Sequence, residues 1–377
     1  MILPSFKAGI LSFIRQISVP AVPTDQLKLY MFGLNTSGQL GLGDTTNRSS
    51  PVQVGTNTDW QQIAAGGSST LAIKTNSTLW SWGSNTDGVL GLGDIVNRSS
   101  PVQVGNNSWT ACDRKYVNSA AIRSDGTLWV WGSNLSYQLG LGYVSIAKSS
   151  PVQSGSDSDW QSITVGNAFM IGLKTNGTIW SWGSGLLGRL GVGNVYDQPV
   201  AAQIGADTNW SFVVSTTAHS LGIKTNGTLW AWGSSNNGRL GLGNTTGRSI
   251  PVQVGTDTNW STASCGVHSV AIKTDGTLWS WGTNTDGQLG LGDTTNRSSP
   301  VQVGTDTDWE SVSCEGNATL ALKTDGTLWA WGRNTSGQSG LGNTTNRSSP
   351  VQVGAGTQWD ILNNGFTHTG VILRIPV

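Results

Sequence analysis

The chain has 377 residues and no net charge, 21 Lys and Arg balancing 21 Asp and Glu, and charged residues make up only 11% of it. There is no basic field to hold a phosphate backbone by counterion release, so a nucleic-acid partner is not expected. No apolar run approaches the roughly 20 residues that span a bilayer, and Cys112, Cys265 and Cys314 have neither metal-ligand spacing nor the density of a disulfide scaffold, reading instead as small buried apolar residues.

Residues 1–28 stand apart from the remainder of the chain. Phe6, Ile10, Phe13, Ile14 and Ile17 recur at helical spacing, Lys7 and Arg15 are the only charges before Asp25, and Pro20 and Pro23 end the pattern. Arg15 and Gln16 interrupt any signal-peptide core, and no convincing small-x-small cleavage site follows. A solitary amphipathic segment cannot bury itself, so the expectation is a short anchoring arm that docks its apolar face on an assembly partner or on the body of the protein.

From residue 29 the chain repeats. A pentapeptide ending in Gly recurs at Gly33, Gly83, Gly132, Gly183, Gly233, Gly282 and Gly332, at intervals of 50, 49, 51, 50, 49 and 50 residues. It reads LYMFG in the first copy and LWSWG, LWVWG, IWSWG or LWAWG in the others. A lone Trp keeps the same period, at Trp60, Trp109, Trp160, Trp210, Trp260, Trp309 and Trp359, so the chain contains seven units.

Each unit reads as β structure. In the fifth, Ser220 to Lys224 alternates, Asn226-Gly227 supplies the positive φ angles of a tight hairpin, and Thr228 to Trp232 alternates again. Period-2 geometry puts Trp230 and Trp232 on one face, with Leu229, Ala231 and Gly233 on the other, so large meets small when sheets stack. Pro251 to Val254 and the segment from Trp260 supply two further strands. Roughly four strands in a unit of this length is the signature of a β-propeller blade. The expected fold is therefore all-β, a seven-bladed propeller over residues 29–377. Its first and last segments, Leu29 to Gly33 and Trp359 to Leu373, should complete one blade between them and remove the edges a linear stack would leave.

The loop after each pentapeptide is copied most faithfully. NTSGQLGLGDTTNRSSPVQVG begins at Asn35, and NTDGQLGLGDTTNRSSPVQVG begins at Asn284. Gly38, Gly41 and Gly43 permit turns closed to residues with a Cβ, Leu40 and Leu42 can plug the loop onto its blade, and Pro51 is expected to start the next strand at an edge. The loop therefore reads as a clasp that every blade needs. Its cations, Arg48, Arg98, Lys148, Arg248, Arg297 and Arg347, form a near-ring broken at Gln198. They read first as structural or solvated charges and, more sharply, as an anion-binding rim.

The string from Trp281-Gly282-Thr283-Asn284 through Gly287-Gln288-Leu289-Gly290-Leu291-Gly292, with its Pro-Val pair and the sequence A-I-K-T-D-G-T-L-W, resembles the repeat of the regulator of chromosome condensation family over about residues 27–377. The resemblance implies the seven-bladed propeller. It also implies a choice of activities, because that family includes a guanine-nucleotide exchange factor for a small GTPase, a plant ultraviolet photoreceptor, a bacterial β-lactamase inhibitor and many interaction modules. The photoreceptor's Gly-Trp-Arg-His-Thr motif is missing, and all 19 Trp are taken by the seven lone positions and six double-Trp pentapeptides. The exchange factor's basic tail and inserted wedge are missing too, since every spacing lies within one residue of 50. What carries over is the family's His-Ser pair, present as His219-Ser220, His268-Ser269 and His368-Thr369.

After each lone Trp comes a strand and then a short turn that differs in every unit: GGSS, RKYVN, GNAF, STTAH, CGVH, CEGNA and GFTH. Variation confined to one turn per unit points to a composite surface at one end of the propeller, facing a protein or glycan partner. The candidate contact residues are Arg114, Lys115, Tyr116, Phe169, His219, His268, Glu315, Phe366 and His368. No acid, base or nucleophile repeats around the ring, and no nucleophile elbow, phosphate loop or His-x-x-x-His appears, so neither catalysis nor a cofactor is expected. His219 and His268 lack a third ligand of defined spacing, so no metal is expected either. The expected function is a non-catalytic binding or structural propeller, tethered by its arm to a larger assembly such as a cell-surface or virion appendage. The alternative, by family analogy, is a nucleotide-exchange factor or other regulator of a small GTPase.

Overall fold

The computed structural model describes residues 25–376, so the apolar stripe from Phe6 to Ile17 lies outside the described residues. The chain forms seven four-stranded antiparallel sheets arranged in a ring. We number the blades by the seven pentapeptides. In blade 2 the strands run Trp60–Ala65, Ser69–Lys74, Leu79–Gly83 and Arg98–Gln103 from the axis outward, and the other blades repeat this order. Blade 1 is the composite one: its two inner strands, Trp359–Asn364 and His368–Ile375, come from the end of the chain, and its two outer strands, Gln26–Gly33 and Arg48–Gln53, from the beginning. Eight residue pairs, from Gln26 opposite Ile375 to Gly33 opposite His368, close the ring. The closing strand starts at Gln26, a few residues before the pentapeptide, and Arg374 ties it down by ion pairs to Asp25 (3.0 Å) and Asp360 (2.6 Å).

Blades stack because each presents two different apolar faces. Between blades 5 and 6, Leu221, Ile223, Leu229 and Ala231 meet Trp260, Ala263, Ala271 and Trp281. Trp232, on the other face of blade 5, packs with Phe169, Ile171 and Leu173 of blade 4. Seven such clusters, one per interface, form a ring-shaped core, with the bulky Trp face of one blade against the aliphatic and small face of its neighbour.

Proline placement differs from expectation. In five blades the outer strand begins at the Arg of the loop, and Pro51 is the fourth residue of Arg48–Gln53, at a shift in pairing register between Met31 and Gly33. A residue without an N–H is accommodated at this bulge on an edge strand, where the ladder is already interrupted. Strand alternation also fixes what shares a face. The variable turn after the innermost strand and the clasp loop after the third strand lie at one end of the propeller, and the Asn-Gly and Asp-Gly hairpins lie at the other.

Candidate functional site

The clasp is a contact between blades. Gly41 sits at φ +71°, and a Cβ there would lie 2.7 Å from Trp82 Nε1 of the next blade. The Trp82 Nε1–H donates to the Gln39 carbonyl (2.9 Å), and the Gly43 N–H donates to the Ser99 carbonyl on the outer strand of blade 2 (2.8 Å). The fully buried Asn35 ties the loop together: its Nδ2 donates to the Asp44 carbonyl and Oδ1 (both 3.0 Å), and its Oδ1 accepts from the Leu40 N–H (2.9 Å). The cation near-ring belongs largely to this clasp. Arg48, Arg98 and Arg297 pair with Asp44, Asp94 and Asp293, each at 2.6 Å, and Arg248 donates to the Thr246 and Gly247 carbonyls (2.9 and 3.0 Å).

A second repeated device, which the period alone does not reveal, sits at the end of the second strand in six blades, blade 1 having Leu373 at that place. Lys224 lies 4.9 Å from the Trp210 ring and 3.8 Å from the Trp230 ring, and its ammonium pairs with Asp207 (2.9 Å). Lys74, Lys174, Lys273 and Lys323 repeat this arrangement, and Arg123 replaces the Lys in blade 3. The sequence signal is a basic residue recurring beside the hairpin turn, on the strand that lies between the two whose aromatic rings it covers.

At the loop end of the axis, three blades meet in a charged plug. Lys115 of blade 3 pairs with Glu315 of blade 7 (2.8 Å) and donates to the Ser215 carbonyl of blade 5 (2.8 Å). Burial opposes the Lys115 charge, but the carboxylates of Glu315 and Asp113 outweigh it and hold the ammonium above its ordinary range. Beside it, Arg114 is buried and donates to the Ser69 carbonyl of blade 2 and the Tyr116 carbonyl (3.1 Å); burial pulls its guanidinium down to about 9. Asp113, absent from the sequence-based candidates, accepts from the Val165 N–H of blade 4 (2.7 Å), and burial lifts its carboxyl to about 6. All three cysteines are buried free thiols.

The three histidines form a different set, between blades. His219 Nε2 meets Ser269 Oγ (2.9 Å), His268 Nε2 meets Thr319 Oγ1 (2.6 Å) and His368 Nε2 meets Thr70 Oγ1 (3.0 Å), each on the next blade. Each hydroxyl in turn donates to a clasp carbonyl, of Arg239, Gln288 and Gln39 respectively, at 2.8 to 2.9 Å. The hydroxyl proton being engaged, each ring supplies the Nε2–H. Burial depresses all three imidazoles, His268 and His368 to about 3, so they are neutral at physiological pH.

These placements correct the expectation of an outward-facing contact set. Arg114, Phe169, His219, His268, Glu315 and His368 are buried, and Lys115 is turned into the plug. The reason is the strand pairing, which continues to the turn and sends these side chains into the spaces between blades and toward the axis. Tyr116 and Phe366 retain open surface. Tyr116 is half-buried, its hydroxyl bonded to Thr217 Oγ1 (2.6 Å), and Phe366 is 40% exposed beside Gly316. His219 and His268 stand on neighbouring blades, yet each directs Nε2 to a hydroxyl, and no group of three potential metal ligands occurs among the described residues.

A family model described as the RCC1-like domain matches residues 117–371, and models described as the regulator of chromosome condensation (RCC1) repeat match residues 28–73, 76–112 and 60–89. No curated protein sequence matches the chain. Among solved structures, yeast RCC1 (Prp20) bound to Kap60 is similar with a TM-score of 0.84 and 18% identity, covering 100% of this chain and 95% of that one. Human WBSCR16 gives 0.84 and 19% over 92% and 98% of the two chains. Prp20p from Saccharomyces cerevisiae gives 0.83 and 18% over 93% and 92%. Identities this low establish the shared propeller and nothing finer. With the family model spanning two-thirds of the sequence and a clasp of Gly, Leu and Asn in nearly every blade, the chain belongs to the RCC1-like family of seven-bladed propellers.

Proposed function

We propose that this chain is a non-catalytic binding propeller, held in a larger assembly by its N-terminal arm and presenting its loop face to a protein or glycan partner. The observation that carries this reading is the use made of the reactive side chains. The histidines, Lys115, Glu315 and Arg114 are engaged in bonds that join blade to blade, so the groups an enzyme would leave free act here as fasteners. Relatives in fold are bound to other proteins: yeast RCC1 was solved with Kap60, and Prp20p is described with its binding to Gsp1p and histones.

The test is affinity capture from the native source with the full chain and with residues 1–24 removed. Loss of a stoichiometric partner on removal supports the arm as anchor, and loss of a different partner from Tyr116→Ala with Phe366→Ala supports the loop face. A second reading, regulation of a small GTPase, is favoured only by the likeness to Prp20p. Release of labelled nucleotide from Gsp1p accelerated by the full chain would overturn the proposal in favour of that reading.

A further inference from the structure

The clasp loop is not copied everywhere, and its departures are confined to one sector. Four blades carry a Thr pair at its tip: Thr45-Thr46, Thr245-Thr246, Thr294-Thr295 and Thr344-Thr345. In blade 2 the pair is Ile95-Val96, 72% and 60% exposed. In blade 4 it is Val195-Tyr196, with Tyr196 73% exposed. In blade 3 the outer strand starts early, as Ser145–Gln153, and lifts Ile146 to 84% exposure. The residue two places after the Arg, Lys or Gln that ends the clasp, Ser in five blades, becomes Val200 in blade 4 and Ile250 in blade 5. Apart from Phe366, every strongly exposed large apolar side chain among the described residues lies between blade 2 and the outer strand of blade 5.

These positions run together because each clasp rests on the next outer strand. Gly93 donates to the Ser149 carbonyl (2.8 Å), Gly142 to that of Pro199 (2.9 Å) and Gly193 to that of Ser249 (2.8 Å). A Cβ on Gly142 or Gly193 would be 3.7 Å from the methyls of Val200 or Ile250. A lone exposed Leu needs no explanation, but a band does. Half or more of the surface of twelve such side chains amounts to something on the order of 1,000 Å², above the roughly 300–600 Å² patch of an ordinary monomer and enough for one side of a standard interface.

The charges on the band point to its occupant. Lys148 of blade 3 has the Tyr143 ring as its neighbour (6.0 Å), and Asp197 of blade 4 accepts the Gly185 N–H (2.9 Å); neither has a salt bridge among the described residues. A second copy supplies the complement of each: Lys148 of one copy can pair with Asp197 of the other, and two-fold symmetry makes such a contact twice. We propose that this sector is the interface with a second copy of the chain, in an isologous dimer.

The test is sedimentation equilibrium of the full chain from about 1 to 100 μM, where interfaces of this size are expected to associate. A dimer is expected. Ile95→Thr, Val96→Thr and Tyr196→Thr together install the residues that the same clasp carries in other blades, so folding, checked by near-ultraviolet circular dichroism, is retained while the dissociation constant rises at least about tenfold. Lys148→Glu and Asp197→Lys should each weaken the dimer and together restore it. A monomeric wild-type chain overturns the proposal, as does a dimer indifferent to these variants. A dimer lost only when residues 1–24 are removed overturns it too, and assigns association to the arm.

Discussion

Single residues hold the clasp and the blade seams, and their contributions are separable. Asn284 is fully buried, donates to the Asp293 carbonyl and Oδ1 (both 3.0 Å) and accepts from the Leu289 N–H (2.9 Å), whereas blade 5 has Ser235 at the same place with one bond to the Asn244 carbonyl (3.0 Å). Asn284→Ala should cost about 2–3 kcal/mol, since it strands buried backbone groups, and Ser235→Ala about 1 kcal/mol, both read from urea unfolding. The neutral histidines predict a pH effect of definite sign. Their folded values lie below the ordinary 6.5, so the unfolded chain binds more protons. Their contribution is complete above about pH 6.5 and is lost as pH falls toward 3, on the order of 1–2 kcal/mol per histidine by pH 5. Replacing His268 and His368 with Gln, which keeps a donor near the Nε2 position, should flatten the wild-type decline in melting temperature between pH 6.5 and 5; an unchanged slope would contradict neutral, hydrogen-bonded histidines.

At the scale of the element, the clasp explains why a turn-rich loop is repeated while the strands around it drift. An apolar strand residue need only be of suitable size for its neighbour, whereas Gly41 must combine a left-handed backbone with the absence of a side chain against Trp82. Gly55 separates these two demands, because it too has positive φ (+56°) but nothing within 4 Å of a Cβ. Gly55→Ala should cost about 1 kcal/mol for backbone strain alone, and Gly41→Ala about 3 kcal/mol or more because the indole must also move and its bond to the Gln39 carbonyl is strained. Equal losses in thermal stability would show that the clasp is not docked on the ring. The same logic gives the apolar band its meaning: clasp positions that touch nothing inside are free to change, and in blades 2 to 4 they change toward surface that a partner can cover.

For the molecule as a whole, closure is the decisive event, and the plug at the axis reads it out. Lys115 and Glu315 are brought within 2.8 Å only when blades 3 and 7 stand on opposite sides of a closed ring. Lys115→Met should destabilise the chain by about 3–5 kcal/mol because Glu315 is left charged and buried, while Lys115→Met with Glu315→Leu should recover most of the loss. Additive effects of the two substitutions would mean that the plug is not a coupled pair. Closure also depends on the terminal strands, and the eight pairs between Gln26–Gly33 and His368–Ile375 make the two ends of the chain part of one blade.

The seven blades, their strand order and the shared terminal blade were legible in the sequence, because alternation, Asn-Gly and Asp-Gly turns and a period near 50 are local signals that no distant contact overrides. The composite nature of blade 1 followed from nothing more than where the pentapeptide and the last lone Trp fall. The burial of the candidate site was not legible. His219, Lys115 and Glu315 each stand in a variable turn, and such turns ordinarily face water; that their side chains point to the next blade or across the axis depends on blade stacking and ring closure, which unite positions 50 to 200 residues apart. The apolar band was visible as DIVN and VSIAK in place of DTTN, yet whether those residues plugged a core or stood in solvent was decided only when each clasp settled on the outer strand of its neighbour.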